Sequence, residues 1–214
     1  MLSKTLTSAT YGIDAYLVEV ETHVEKQIPG FIIVGLPDNA VRESRERVIA
    51  AIKNSDIKFP LKKFTINLAP ADIKKEGSSF DLAIAIGILA AEEVVSDKFL
   101  SDTIFLGELS LDGKLRHIKG ALPIAVEAKK KGINKIILPK ESANEAAIVD
   151  DIDVYGFETL TEVIAFLNEE TNPEKTYTDK RELFSAINLY HLDFADVKGQ
   201  ENVKRAFLVA CRCP

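Results

Sequence analysis

The stretch that most constrains this chain is Lys63–Val95, a short alternating segment that runs through a polar loop into an almost wholly apolar helix. Lys63–Leu68 (KFTINL) alternates apolar and polar residues, the pattern of a half-buried strand, and Pro70 bars its smooth continuation. Gly77 supplies backbone freedom in the loop that must follow, Ser78 or Ser79 is placed to cap a helix, and Asp81 favours the positive end of its dipole. Leu82–Val95 (LAIAIGILAAEEVV) is apolar nearly all round, which predicts a helix buried on most of its surface. A serine on a strand–loop–helix junction beside Lys74 and Lys75 suits a nucleophile, an anion cradle or a plain helix cap.

The segments around that stretch predict a mixed α/β or α+β domain. Residues 4–10 and Ala15–Val24 alternate with the period of strands about a Gly12-Ile13-Asp14 turn, a hairpin signature. Phe31–Val34 reads as a third strand. Asp38 then caps a helix over Asn39–Asn54 with Val41, Val48, Ile49 and Ile52 on one face. Its charged residues Arg42, Glu43, Arg45, Glu46 and Arg47 read as a solvated face. A short strand over Thr103–Leu106 leads into a hairpin turned by Asp112-Gly113. The remaining segments alternate helix (Gly120–Lys131), strand (Lys135–Leu138), helix (around Ala143–Ile148), strand (Val154–Phe157) and helix (Leu160–Asn168). That alternation predicts parallel pairing late in the chain, and the hairpin predicts antiparallel pairing early.

Residues 169–193 are polar and charged and read as a linker or arm, and Glu201–Ala210 reads as one further helix. With 46% hydrophobic and 28% charged residues the chain is expected to be globular, and its net charge of −6 excludes a surface generally attractive to nucleic acid. No signal core or membrane span is evident, so a cytoplasmic location without membrane contact is expected. Cys211 and Cys213 have no histidine nearby to complete a metal site. His23, His117 and His191 stand in contexts that suggest structural roles, and Lys129-Lys130-Lys131 suit the negative end of a helix dipole.

Three blocks, Pro29–Ser55, Ile66–Ala91 and Phe105–Pro139, resemble in order the N-terminal domain of the YifB/ComM family of magnesium-chelatase-like AAA+ ATPases. That resemblance implies a Lon-protease-like fold of the ribosomal protein S5 domain 2-like type over residues 1–168. Asp196–Phe207 resembles the entry to the family's ATPase module, so 194–214 would be its truncated start. No G-x-x-x-x-G-K-[ST] motif occurs, and ATP and Mg2+ are expected only for a longer parent. The family implies a hexameric parent that drives DNA branch migration during natural transformation, with its own ATPase module and DNA as partners. This chain itself is expected to need no cofactor or metal and to be no enzyme.

The blocks are also distantly similar to the proteolytic domain of Lon, where a serine is activated by a lysine on a following helix. On that pattern Ser79 takes the nucleophile's position, but Leu122 stands where the lysine belongs, and a leucine accepts no proton. Phe80 and Asp81 replace the small residues that would leave room for a peptide. The expected reading is therefore a non-catalytic domain with Ser79 as a capping hydroxyl. The alternatives are a residual Ser/Lys peptidase, with Lys119 as a substitute base, and an autonomous DNA-binding module using Lys74 and Lys75, with Lys62 and Lys63 nearby.

Overall fold

The computed structural model describes residues 1–179 and 194–211. Chain contacts divide it into two units, Met1–Thr178 and Asp179–Pro214. In the first unit, β1 (Leu2–Tyr11) and β2 (Asp14–Glu25) form the expected hairpin, closed by Gly12 at φ +63° and Ile13. β3 (Gly30–Val34), α1 (Asn39–Asn54), β4 (Lys63–Ala69) and α2 (Asp81–Ala91) follow. Next come β5 (Thr103–Phe105), the small hairpin β6 (Glu108–Leu109) and β7 (Leu115–Arg116), and α3 (Ala121–Lys130). β8 (Lys135–Pro139), α4 (Lys140–Ala146), β9 (Asp153–Phe157) and α5 (Leu160–Leu167) complete the unit.

Among the described residues seven strands form one sheet in the order β3-β4-β2-β1-β5-β8-β9. The late strands pair in parallel, as the strand–helix alternation requires: β1 with β5, β5 with β8 and β8 with β9. The early part is antiparallel at β1–β2 and β2–β4. β3 departs from that expectation by running parallel to β4, because α1 intervenes as a crossover between them.

Helices cover both faces. Phe105, Ile137 and Tyr155 point into a core shared with α1, α2 and α5. Their neighbours Ile104, Ile136, Leu138 and Val154 point the other way, into a core shared with α3 and α4. Strand alternation thus feeds two cores from one sheet.

All eleven residues of α2 are buried, which accounts for its lack of a polar face. The helix ends at Ala91, four residues short of the expected Val95, with Glu92 at its C-cap. It lies on the hydroxyl-bearing inner face of the first hairpin: Ser3 Oγ donates to Gly87 O at 2.6 Å and Thr5 Oγ1 to Ala83 O at 3.0 Å. A Cβ at Gly87 would stand 2.7 Å from Thr22 Oγ1, so this approach needs glycine.

In the second unit, α6 (Glu201–Ala210) follows a 3-10 turn over Phe194–Asp196, and the rings of Phe194 and Phe207 stack at 5.9 Å. His191, Cys213 and much of the expected arm lie outside the described residues, and residues 169–178 belong to the first unit.

The serine junction between β4 and α2

The loop of residues 70–80 hangs on the corner between β3 and α1. Lys75 N donates to Leu36 O at 3.1 Å, and Asp38 N donates to Lys75 O at 3.0 Å. Asp38 serves two elements. Its Oδ1 caps α1 by accepting from Val41 N at 2.8 Å, and its Oδ2 accepts from Gly77 N at 3.3 Å. Tyr16 adds a hydrogen bond from its hydroxyl to Lys74 O at 3.1 Å.

This anchoring turns Lys75 inward, which corrects its reading as a phosphate-contacting lysine. The side chain is fully buried, and its ammonium donates to Pro70 O and to Ile73 O, the latter at 2.8 Å. Burial holds its pKa below the ordinary lysine value of 10.5, with Asp72 opposing the shift. Lys74 does face solvent, where it pairs with Glu76 at 2.7 Å. Lys62 pairs with Glu92 at 2.6 Å and Lys63 with Glu25 at 3.1 Å, so the basic residues around the junction already have acidic partners.

The serines are not helix caps. The N-cap position of α2 is Phe80, without a side-chain capping bond, which corrects the expected role of Ser79. Ser78 Oγ instead donates to Glu108 Oε2, whose other oxygen accepts from Arg116 Nη1 at 3.2 Å. Ser79 is half-buried, and its carbonyl accepts from Gly107 N at 3.0 Å. Its hydroxyl makes no hydrogen bond among the described residues. Ser78 is committed to the β6–β7 hairpin, and α2 begins without a side-chain cap.

That cation is Arg47. Its Nε donates to Asp81 Oδ2 at 2.6 Å and its Nη2 to Asp81 Oδ1 at 3.0 Å, while Leu109 N donates to Oδ2 at 3.2 Å. Nη2 also reaches Ala40 O at 3.0 Å and Ser44 Oγ at 3.3 Å. Burial pushes the Asp81 carboxyl up, opposed chiefly by the bonds from Arg47. Arg47 therefore does not belong to the solvated face of α1. The signal lay in its spacing: Ser44, Arg47, Val48 and Ala51 follow the three- and four-residue steps of the buried stripe. A carboxylate opening an otherwise apolar helix also calls for a partner.

None of the other candidates hydrogen-bonds the serine hydroxyl among the described residues. Leu122, which stands at the lysine position of the Lon-like pattern, sits on α3, whose buried residues belong to the core on the face opposite to α2. Its side chain borders a cleft of about 230 Å³ with Ile13, Asp14, Ala15 and Pro123. Lys119 is exposed and makes no hydrogen bond to Ser79. Its neighbour Gly120 lies against the end of β1, where a Cβ would stand 2.6 Å from Thr10 Cγ2.

His117 Nδ1 shares a hydrogen bond of 2.9 Å with Ser142 Oγ, which also accepts from Ile118 N at 3.0 Å. At 1% exposure Ser142 ties the loop before α3 to α4. His23 Nε2 lies 3.5 Å from Glu25 on the open sheet surface. Among the described residues no group of three or more His, Cys, Asp or Glu is arranged to hold a metal ion, and no helix is long and apolar enough to cross a membrane.

Residues 20–142 match the family described as subunit ChlI of Mg-chelatase. The chain is 42% identical over 203 residues to competence protein ComM of Haemophilus influenzae, covering 94% of this chain and 40% of that protein. It is 41% identical over 207 residues to YifB, an uncharacterized protein of Escherichia coli, covering 95% of this chain and 39% of that protein. Lon protease 2 of Bacillus subtilis is 32% identical over 125 residues, which cover 56% of this chain and 22% of the protease. The chain thus spans about 40% of the length of the first two relatives.

Proposed function

Because the chain belongs to the family of subunit ChlI of Mg-chelatase, we propose that residues 1–168 act as a non-catalytic domain of a longer ATPase, one that works on DNA as a cytoplasmic ring hexamer. The observation that carries the non-catalytic reading is the isolation of the Ser79 hydroxyl. A serine nucleophile needs a base within hydrogen-bond reach, about 2.6–3.2 Å. Leu122 accepts no proton, Lys119 is exposed and unbonded to Ser79, and the Lys75 ammonium is held by two carbonyls.

ATP and Mg2+ belong to the part of the parent outside this chain. A phosphate-gripping loop of the G-x-x-x-x-G-K-[ST] kind is absent from the 214 residues. The likeness to competence protein ComM supports a role in competence for the parent. DNA contact through this domain has less support, because Lys75 is buried and Lys62, Lys63 and Lys74 are each paired with a carboxylate.

The test is ATP-dependent branch migration by the longer protein, compared with a Ser79→Ala variant and with a form lacking residues 1–168. The reading expects Ser79→Ala to match the parent, and removal of the domain to change rate or assembly. It fails if Ser79→Ala abolishes activity while the protein stays folded.

A further inference from the structure

The chain is fastened firmly where it leaves α5 and loosely thereafter. Glu169, at φ +59°, turns it back: Glu169 N donates to Phe166 O at 3.0 Å and Glu170 N to Ala165 O at 2.9 Å, the paired bonds of a helix-terminating turn. The Asn168 amide adds two bonds of 3.1 Å, donating to Val94 O and accepting from Ser96 N, and Glu169 pairs with Lys98. Residues 171–174 then make no hydrogen bond or ion pair among the described residues.

Past that gap the chain returns along β9, the last strand of the sheet. Three polar contacts hold it. Thr176 N donates to Val154 O at 2.8 Å, Lys175 pairs with Asp153 at 2.6 Å, and Thr178 Oγ1 donates to Asn144 O at 2.9 Å. Packing adds little to them, since no residue of 171–178 is buried and Tyr177 is 84% exposed. A cleft of about 520 Å³ is lined by Thr171, Asn172 and Pro173 together with Phe157 and Ala165, so the start of the segment stands off the body it crosses. Both members of the Lys175–Asp153 pair are half-exposed, and such a pair contributes little and is screened by salt.

We propose that residues 171–178 form a releasable strap, closed along β9 in this structure and free to swing out about Glu170, which gives the chain beyond it a tether of two lengths. Closed, the tether begins at Thr178 beside α4. Open, it begins at Glu170, and eight residues of extended chain add up to roughly 26–29 Å of reach. Opening gives up three contacts that water replaces and exposes no buried residue, so it is a local event well below global unfolding. The turn through Glu170 stays in place, because its bonds run to α5 and to the loop after α2. While closed, the strap also covers the edge of β9. The device belongs to this chain and stands independently of the activity proposed above.

The experiment is native-state hydrogen exchange of the whole chain, read by NMR across low urea concentrations. The Thr176 N–H is expected to be protected about ten- to a thousandfold relative to an unfolded chain, and to exchange at least about tenfold faster than the amides of β8. Its exchange should be nearly independent of urea, because opening exposes little surface, whereas that of β8 should accelerate. Asp153→Asn and Thr178→Val are each expected to speed Thr176 exchange about two- to fivefold. In a Cys211→Ser, Cys213→Ser background, spin labels at Tyr177→Cys and Lys130→Cys should show a longer, broader distance population when Asp153→Asn and Thr178→Val are combined. An unprotected Thr176 N–H would mean that no closed state exists. Exchange as slow as that of β8 and equally sensitive to urea would make the segment a permanent edge cover. Either result, or a single unchanged distance in the combined variant, would overturn the proposal.

Discussion

Asp81→Ala is expected to be among the costliest substitutions near the serine junction. The Asp81 side chain is fully buried and accepts two hydrogen bonds from Arg47 and one from Leu109 N. The pair joins α1, the start of α2 and the β6–β7 hairpin, so its loss affects three elements together. Removing one partner of a buried ion pair costs about 3–5 kcal/mol. The lower end applies, because the Arg47 side chain is 19% exposed and keeps Ala40 O and Ser44 Oγ. Leaving Leu109 N bare adds about 1 kcal/mol, for a total of about 4 kcal/mol. In a domain of this size that lowers Tm by roughly 8–16 °C. Urea unfolding followed by circular dichroism gives the free energy directly. The double variant Arg47→Met, Asp81→Leu should recover most of the loss, since an apolar pair leaves no buried charge behind. A cost below about 1 kcal/mol for Asp81→Ala would refute the claim that this pair fastens α1 to α2.

Three other outcomes follow from the same structure. Gly87→Ala brings a methyl group to 2.7 Å from Thr22 Oγ1 and should cost about 1–3 kcal/mol in thermal unfolding, although alanine is the better helix former. Lys75 has a native pKa below its unfolded value, so the native state binds fewer protons between the two. The stability of the chain relative to Lys75→Met should therefore rise as pH increases toward the ordinary lysine value of 10.5, as read from paired urea titrations. Thr159→Ala removes the hydroxyl that accepts from Glu162 N at 3.3 Å and should lower unfolding stability by about 1 kcal/mol, with α5 fraying first in hydrogen exchange.

Periodicity and caps made most of the fold legible in the sequence. Asp38 followed by an amphipathic pattern marks α1 to the residue, and two-residue alternation separated by Gly12 marks the first hairpin. What the sequence hid depends on contacts between distant segments. The parallel pairing of β3 and β4 follows from the path of α1 and not from either strand's pattern. Lys75 reads as a surface lysine until the loop is fastened to Leu36 and Asp38, which turns its ammonium onto backbone carbonyls. Ser79 reads as a cap because serine suits that position locally, yet α2 begins after Phe80 without a side-chain cap and its first residue, Asp81, binds the distant Arg47. The placement of α2 and α3 against opposite faces of the sheet was not legible either.

The most direct test of the non-catalytic reading is the reactivity of the Ser79 hydroxyl. Incubating the chain with a fluorophosphonate, followed by intact mass measurement and peptide mapping, asks whether this serine has an activating base. The account predicts no adduct at Ser79 and an unmodified mass indistinguishable in behaviour from that of Ser79→Ala. A covalent adduct on Ser79 that disappears in Ser79→Ala and falls in Lys119→Ala or Lys75→Met would contradict it, and would make the junction a working serine–lysine site.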